Sequence, residues 1–595
     1  MKLGGTRLFE VAWEICNQVG GIYTVIRSKV PSMVEQWGSD YCVIGPYTPN
    51  NPEFEEVELP GHPIFEAVQL LRQEGVTVHI GYWLVTGKPL TVLIDYYSLY
   101  NKLADIKYQL WQEHHISCSE HNELVDQVIA FGYGVYRFFN CFASVSDDKQ
   151  VITHIHEWMA GVGIPFMRQE NLPTKIVFTT HATLLGRYLA MNDPGFYDRL
   201  PFVDWEQEAK YFNVETQVKI ERAAAHGAHV MTTVSEITGQ ECVHLLGRAP
   251  DEILPNGLNV VRYEALHEFQ TLHLRYRKKI DDFVRGHFFP SYSFDLDKTV
   301  YFFTSGRYEY NNKGFDVDLE ALARLNAMLK HENIDVTVVM FFITRKATKS
   351  INVDLLHSRA VMEELRDTCE EIEKKISSQL FKNITQHKSD KLPDINEFVD
   401  DYWNLRYKRT LQSWKTDKLP PVVTHELYDE GKDEILNFMH HLQLHNSPDD
   451  KVKVVYHPDF ISSTSPLFHM DYGQFVRGCH LGVFPSYYEP WGYTPLECLV
   501  RGVASVTSDL SGYGDYILNH CKEISDKKVS TVIKRKHTSF ADSSQQLADE
   551  MLGFVKMTRR ERIQHRNEVE SYSEVFDWKN LIKHYKDAYV RVLGE

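Results

Sequence analysis

Short apolar runs alternate with longer helical patterns along the whole chain. In the first half the runs are Leu8–Trp13, Tyr41–Ile44, Val76–Val85, Thr91–Asp95, Val151–Ile155, Lys175–Thr180 and His229–Ser235. The second half has Val300–Thr304, Asp335–Thr344, Lys451–Tyr456, His480–Phe484 and Val503–Thr507. Several are continuously apolar, as strands buried on both faces are. Strand alternating with helix predicts βαβ units, parallel sheets and an α/β fold. The runs suffice for two sheets, one before and one after about residue 270.

Two stretches depart from this rhythm. Tyr263–Arg285 is charged and helical. Leu355–Leu444 is rich in Glu, Lys, Asp and His and poor in strand signals. Within it Val361, Leu365, Cys369, Ile372, Ile376 and Leu380 form one apolar helical stripe, able to pack on its own domain or on another subunit. The expected organisation is a Rossmann-like domain over 1–270, a second over 271–575 with a helical insertion at about 355–445, and a final segment, 576–595. That segment holds an amphipathic helix, Trp578–Leu593, expected to return to the first domain.

Composition narrows the function. With 595 residues a single core is improbable, and 43% hydrophobic with 24% charged residues excludes wholesale disorder. A formal charge of −17 argues against nucleic acid as the main ligand. The nine Cys are scattered, without a C-x-x-C pair, which suits reduced thiols in the cytoplasm. No apolar run approaches the ~20 residues of a membrane helix. Met1–Gly5 leads straight into a strand, so no secretory signal is expected.

Facing parallel domains bind ligands at the carboxyl ends of their strands. Ser305-Gly306-Arg307 follows a strand there, with Lys313-Gly314 close behind, and the two cations suit a diphosphate. Phe484–Glu497 follows another. Its Thr494-Pro495-Leu496-Glu497 reads as a helix start capped by Thr494, so free N–H groups would face the cleft. Glu497 is then either a capping carboxylate or a ligand contact, whereas Glu489 has no capping task and can accept two sugar hydroxyls. His181 ends the strand Lys175–Thr180, with Arg187 on the helix beyond. Gly20-Gly21 opens a helix after the first strand and allows close backbone approach.

His154 and His156 share a strand face as a possible metal pair, but no third ligand stands at matching spacing. Trp158 beside them reads as a sugar platform. Arg559, Arg562 and Arg566 share one helical face next to Arg560, a cationic patch in an acidic chain. His267, Gln270 and His273 share a face of the mid-chain helix.

Taken together, these segments resemble the eukaryotic-type, UDP-glucose-dependent glycogen (starch) synthases, retaining glycosyltransferases of the GT-B fold. The resemblance is carried by Glu10-Val11-Ala12-Trp13-Glu14 with Val19–Thr24, by His181–Arg187, by Ser305–Glu309, and by Tyr488–Pro495 with Glu497, the last containing an E-x7-E pattern from Glu489. It implies an acceptor-side first domain and a nucleotide-sugar-side second one. Arg187, Arg307 and Lys313 would hold the UDP diphosphate. Glu489 would bind the donor glucose, Glu497 the ribose side, and Tyr472 and Phe460 would flank the uracil. His181 would lie close to the transferred glucose, and Thr494 with the N–H groups of Gly492 and Tyr493 would meet the distal phosphate. No cofactor and no metal are implied.

The same resemblance implies activation by glucose 6-phosphate through Arg559, Arg560, Arg562 and Arg566, with His267, Gln270, His273 and His480 as further contacts. It also implies a homotetramer built on the insertion, and glycogenin docking near Tyr108–Phe139. The family commonly has a cation two residues before the Gly-Gly; here that position is Gln18. The Ser-rich tails of animal enzymes do not occur in this sequence. Elongation of an α-1,4-glucan from UDP-glucose is the expected activity. The alternatives are a non-catalytic glucan- or nucleotide-binding scaffold, for which Gln18 speaks, and another GT-B sugar enzyme.

Overall fold

The computed structural model describes residues 3–118, 122–145, 149–260, 269–386 and 394–594. The apolar runs of the first half form one sheet: β1 (Thr6–Ala12), β2 (Tyr41–Pro46), β3 (Phe54–Glu56), β4 (Val78–Trp83), β5 (Leu90–Ile94), β6 (Gln150–His156), β7 (Lys175–Thr180), β8 (Val230–Thr233) and β9 (Glu252–Ile253). Its order is β3-β4-β5-β2-β1-β6-β7-β8-β9. From β5 to β9 all neighbours are parallel, but β3–β4 and β4–β5 are antiparallel, which corrects the all-parallel expectation. Gly87 and Lys88, both at positive φ, turn the chain from β4 into β5, and so short a link reaches only an antiparallel neighbour.

The second sheet contains β10 (Thr299–Arg307) and β11 (Thr337–Arg345), then, beyond β12 (Thr348–Ile351) and β13 (His425–Leu427), β14 (Val452–His457), β15 (Leu481–Phe484), β16 (Ala504–Ser508) and β17 (Ser530–Ile533). Its order is β14-β11-β10-β15-β16-β17, parallel throughout. Strands β12 and β13 pair separately at the root of the helical insertion; they are too short and polar to announce themselves. The insertion is a pair of packed helices, Val353–Gln386 and Asp401–Trp414. Its apolar stripe is only partly covered: Val361 is buried, Leu365, Ile372, Ile376 and Leu380 are half-buried, and Cys369 is exposed.

Among the described residues one helix, Glu123–Val145, is long and apolar enough by composition to cross a membrane, although charged and polar residues interrupt its apolar run. Here it is a core helix: Phe138, Phe139 and Phe142 pack edge-on against Phe9 of β1. Beside it, Tyr108 and Trp111 are exposed on the helix Leu103–His114.

The two lobes meet beside the carboxyl ends of their strands. The Tyr488 hydroxyl donates to Thr183 O at 3.3 Å and to Glu241 at 3.2 Å. Gly512 sits so close to the first lobe that a Cβ there would lie 2.7 Å from Ser235 Cβ and 2.0 Å from Pro490 O. The C-terminal helix, Trp578–Gly594, packs against β7, β8 and the helix Gly21–Trp37 of the first lobe. Leu258 N–H donates to Phe576 O (3.0 Å), Trp578 N–H donates to Leu258 O (3.2 Å), and the Trp578 indole donates to Ser28 Oγ (2.7 Å). Trp578 is fully buried. Trp578→Ala should therefore cost about 3–5 kcal/mol and lower the melting temperature by several degrees; thermal unfolding with an unchanged midpoint would contradict this packing.

Candidate active site

Strand β10 runs three residues further than its apolar run, so Ser305, Gly306 and Arg307 are its last residues and not a loop. Gly306 lets Lys313 fold back over the strand end: a Cβ would lie 3.1 Å from Lys313 Cε. The Lys313 ammonium forms an ion pair with the Glu489 carboxylate. Arg307 is mostly exposed at the mouth, its Nε 3.3 Å from Glu309. From the opposite lobe comes Arg187. Burial works against its charge, but Tyr488, Glu309, Glu157 and Glu489 outweigh burial and move its pKa up. Arg187, Lys313 and Glu489 thus share one cleft. Arg307 also faces Glu14 of the first lobe: burial raises that carboxyl's pKa, and Arg307 pulls it back.

The capping reading of Thr494 fails. The helix Tyr493–Leu499 begins after Gly492, which takes φ 108°, and no side chain caps it. Thr494 and Pro495 lie inside the first turn, so Glu497 is not a capping residue. Glu497 instead lines a cavity of about 170 Å³ with Gln18, Tyr23, Arg27 and Asn259 of the first lobe. Arg27 is the one cation among its lining residues. Beside Gly20-Gly21, read from the sequence as a place of close backbone approach, the N–H groups of Gly20 and Tyr23 both donate to Glu14 at 2.8 Å. Tyr472 OH lies 2.6 Å from Ser305 Oγ, and the exposed Phe460 ring carries the Arg345 guanidinium 5.3 Å from its centroid.

His181 is buried at the end of β7. Its Nε2 lies 3.0 Å from His156 Nδ1, and His156 Nε2 lies 2.7 Å from Glu10 Oε1. The same carboxylate accepts Lys29 Nζ and Tyr41 OH, each at 2.5 Å. Glu10 from β1 is the third potential metal ligand missing from the spacing argument, its donor atom within 4.8 Å of those of His154 and His156. These donors are spent on one another, however. Lys29 already supplies the cation, and both His154 nitrogens are hydrogen-bonded, to Tyr589 OH at 2.8 Å and Thr179 Oγ1 at 2.6 Å. Trp158 is buried in the first lobe's core, which corrects its reading as a sugar platform.

Glu157, read from the sequence only as a neighbour of the His pair, is a positioning group. At φ 65°, unusual for a residue with a side chain, its carboxyl accepts the N–H groups of His181 (2.8 Å) and Ala182 (3.1 Å). Burial raises its pKa from 4.5 to about 7, against those hydrogen bonds and Arg187. Burial, then the neighbouring Glu157, raises Glu221 to about 8; burial raises Glu241 to about 7, against donors from Thr183, Tyr197 and Tyr488. A carboxyl whose pKa is higher folded than unfolded stays protonated after the unfolded chain has ionised, so its contribution to stability falls as pH rises between the two values. Over pH 5 to 8 the melting temperature of Glu221→Gln should therefore shift upward relative to the unmodified protein; a gap that ignores pH would sink this assignment.

A second charged cluster lies on the helix Arg559–Ser571. Arg566 is buried and donates to Gln270 Oε1 (2.8 Å) and toward His273 Nε2 (3.0 Å). Burial, then Arg277 and Arg562, lowers its pKa to about 10. His273 and His480 stack edge-on at 5.0 Å. Burial, followed by the nearby arginines among its other causes, holds both well below the ordinary His range. Arg559 and Arg560 are exposed, and His267 lies outside the described residues. Arg277, one turn beyond His273, belongs to this cluster and was not singled out by the sequence; its spacing was the available signal.

The glycogen synthase family model matches residues 10–595. The chain belongs to the glycogen synthase family. It is 43% identical over 584 residues to the liver glycogen (starch) synthase of Homo sapiens, covering 98% of this chain and 82% of that one. With the glycogen (starch) synthase of Neurospora crassa it shares 43% over 584 residues, covering 98% and 83%. With isoform 1 of Saccharomyces cerevisiae it shares 42% over 606 residues, covering 99% and 85%. Among solved structures it is similar to the catalytic domain of Starch Synthase IV from Arabidopsis thaliana bound to ADP and acarbose, with TM-score 0.54, 12% identity and full coverage of both chains. The fold is GT-B, and the protein is a glycosyltransferase with glycogen synthase activity.

Proposed function

We propose that this glycogen synthase transfers glucose from UDP-glucose to the non-reducing end of an α-1,4-glucan with retention of configuration. The observation that carries the site assignment is the Lys313–Glu489 pair, with Arg187 reaching the same carboxylates from the other lobe. Negative charge builds on the departing diphosphate, where Arg307, Lys313 and Arg187 stabilise it. The free N–H groups of the first turn at Gly492, Tyr493 and Thr494 add to that field. Such a leaving group needs no strong general acid. Retention follows if the acceptor hydroxyl arrives on the face UDP leaves and gives its proton to a phosphate oxygen. Glu489 steadies the hexose, Glu497 takes the ribose side, Tyr472 and Phe460 flank the base, and Gly20-Gly21 bring the first lobe close. Arg27 offers the charge that Gln18 does not.

Before a donor binds, Glu489 neutralises Lys313; with donor present, the ammonium is free to turn to phosphate. Glu489→Gln should lower transfer by ~10²–10³-fold while UDP binds no more weakly, read by UDP release and calorimetry. Normal turnover in this variant would remove Glu489 from the mechanism.

Activation by glucose 6-phosphate fits the arginine cluster. Burial, then Arg277 and Arg559, lowers the pKa of Arg562, and burial, then Arg277 and Arg562, lowers that of Arg566, so a phosphate there relieves repulsion among crowded cations. Replacing Arg562 and Arg566 with Ala should abolish stimulation by glucose 6-phosphate in the same assay; undiminished stimulation would mean the effector binds elsewhere. The half-covered stripe of the insertion suits assembly into a homotetramer. Exposed Tyr108 and Trp111, rather than buried Phe139, suit docking of glycogenin. The expected compartment is the cytoplasm.

A further inference from the structure

We propose that Glu10 and His156 are positioning residues that set the tautomer of His181, so that His181 offers the cleft an acceptor nitrogen and reads a hydroxyl, not a phosphate. The inference rests on the sugar-transfer reading of the cleft.

Protons can be assigned along the chain of contacts. An ionised carboxylate only accepts hydrogen bonds, and Glu10 is kept ionised by Lys29 and Tyr41 at 2.5 Å each. His156 Nε2, 2.7 Å from Glu10, must therefore carry a proton. A second proton on His156 would bury another cation beside Lys29 against a single carboxylate, with the His154 ring only 4.1 Å away. His156 Nδ1 is then a lone pair, and the 3.0 Å contact requires the hydrogen on His181 Nε2. A neutral His181 protonated at Nε2 has its lone pair at Nδ1. That atom has no hydrogen-bond partner among the described residues and is the one polar ring atom left to meet a ligand. Phosphate oxygens only accept, so they gain nothing from it; a sugar hydroxyl donates to it.

The relay is braced from outside the cleft. Tyr589 of the C-terminal helix bonds His154, and Lys29 lies 4.0 Å from the Tyr585 ring centroid. The end of the chain therefore supports the orientation of His181 at the end of β7.

Two amide substitutions separate this role from simple packing. In His156→Asn the side-chain oxygen takes the place of Nδ1 and still accepts from His181. In His156→Gln the amide reaches Glu10 and leaves His181 unpartnered. His156→Gln should lose roughly tenfold to a hundredfold in kcat, with KM for UDP-glucose within about threefold, and His156→Asn should recover most of that loss. Equal loss in both, or none in either, overturns the proposal. Independently, magic-angle-spinning spectra of 15N-histidine-labelled protein, with His181→Gln giving the assignment, should show His181 protonated at Nε2. A proton at Nδ1 overturns it even if the variants behave as expected. Failure of the unmodified protein to release UDP from UDP-glucose would instead refute the sugar-transfer reading, and the spectrum would still decide the tautomer.

Discussion

The Tyr488 hydroxyl crosses from the second lobe into the first and is fixed there by Thr183 O and Glu241. The next residue along the chain is Glu489, and Glu489 holds Lys313. The position of the Lys313 ammonium at the end of β10 thus depends, through two contacts, on how the lobes meet. Gly512 allows the same approach from a neighbouring loop, because any side chain there would strike Pro490 or Ser235. A shift in lobe orientation is consequently felt first at the charged groups, not at the sheets behind them.

Charge in the cleft is balanced from behind. Arg187 keeps its cation despite burial because Tyr488, Glu309, Glu157 and Glu489 face it. Glu157, Glu221 and Glu241 pack under the first lobe's loops with raised pKa values, which marks groups held for position at some expense in stability. Each accepts backbone or hydroxyl donors from the turn that carries His181, Thr183 or Leu184. These carboxyl groups shape the turn.

Much of this arrangement was readable in advance. Continuously apolar runs such as Tyr41–Ile44 identified their strands because burial on both faces leaves no polar alternation to confuse with helix. The segments around Arg307, Lys313, Glu489 and His181 stood out because each follows such a strand. What escaped was whatever depends on tertiary closure. Thr494 carries the local signature of a helix cap, yet Gly492 starts the helix two residues earlier, and Glu497 is released from capping. Trp158 looked like a platform because its neighbours are polar, but its ring turns into the core. Glu10 lies 144 and 146 residues from His154 and His156 in the sequence, so only the pairing of β1 with β6 reveals the carboxylate that organises them.

The pairing of β1 with β6 has a chemical consequence. It places a buried carboxylate, a buried lysine and neutral imidazoles on the first lobe's side of the cleft, while Arg307 and Lys313 stand on the second. Around His181 the charges of Glu10 and Lys29 cancel, so on the reading proposed above the imidazole there is an acceptor by tautomer and not a cation by charge. The second side keeps cations that are only partly neutralised. On the proposed reading, the diphosphate of a donor meets Arg307, Lys313 and Arg187, and its hexose hydroxyls meet Glu489 and His181. The two ion pairs differ in one respect: Glu10–Lys29 is closed to solvent, whereas the half-buried Glu489–Lys313 pair is open to it and, on the proposed reading, to exchange with phosphate.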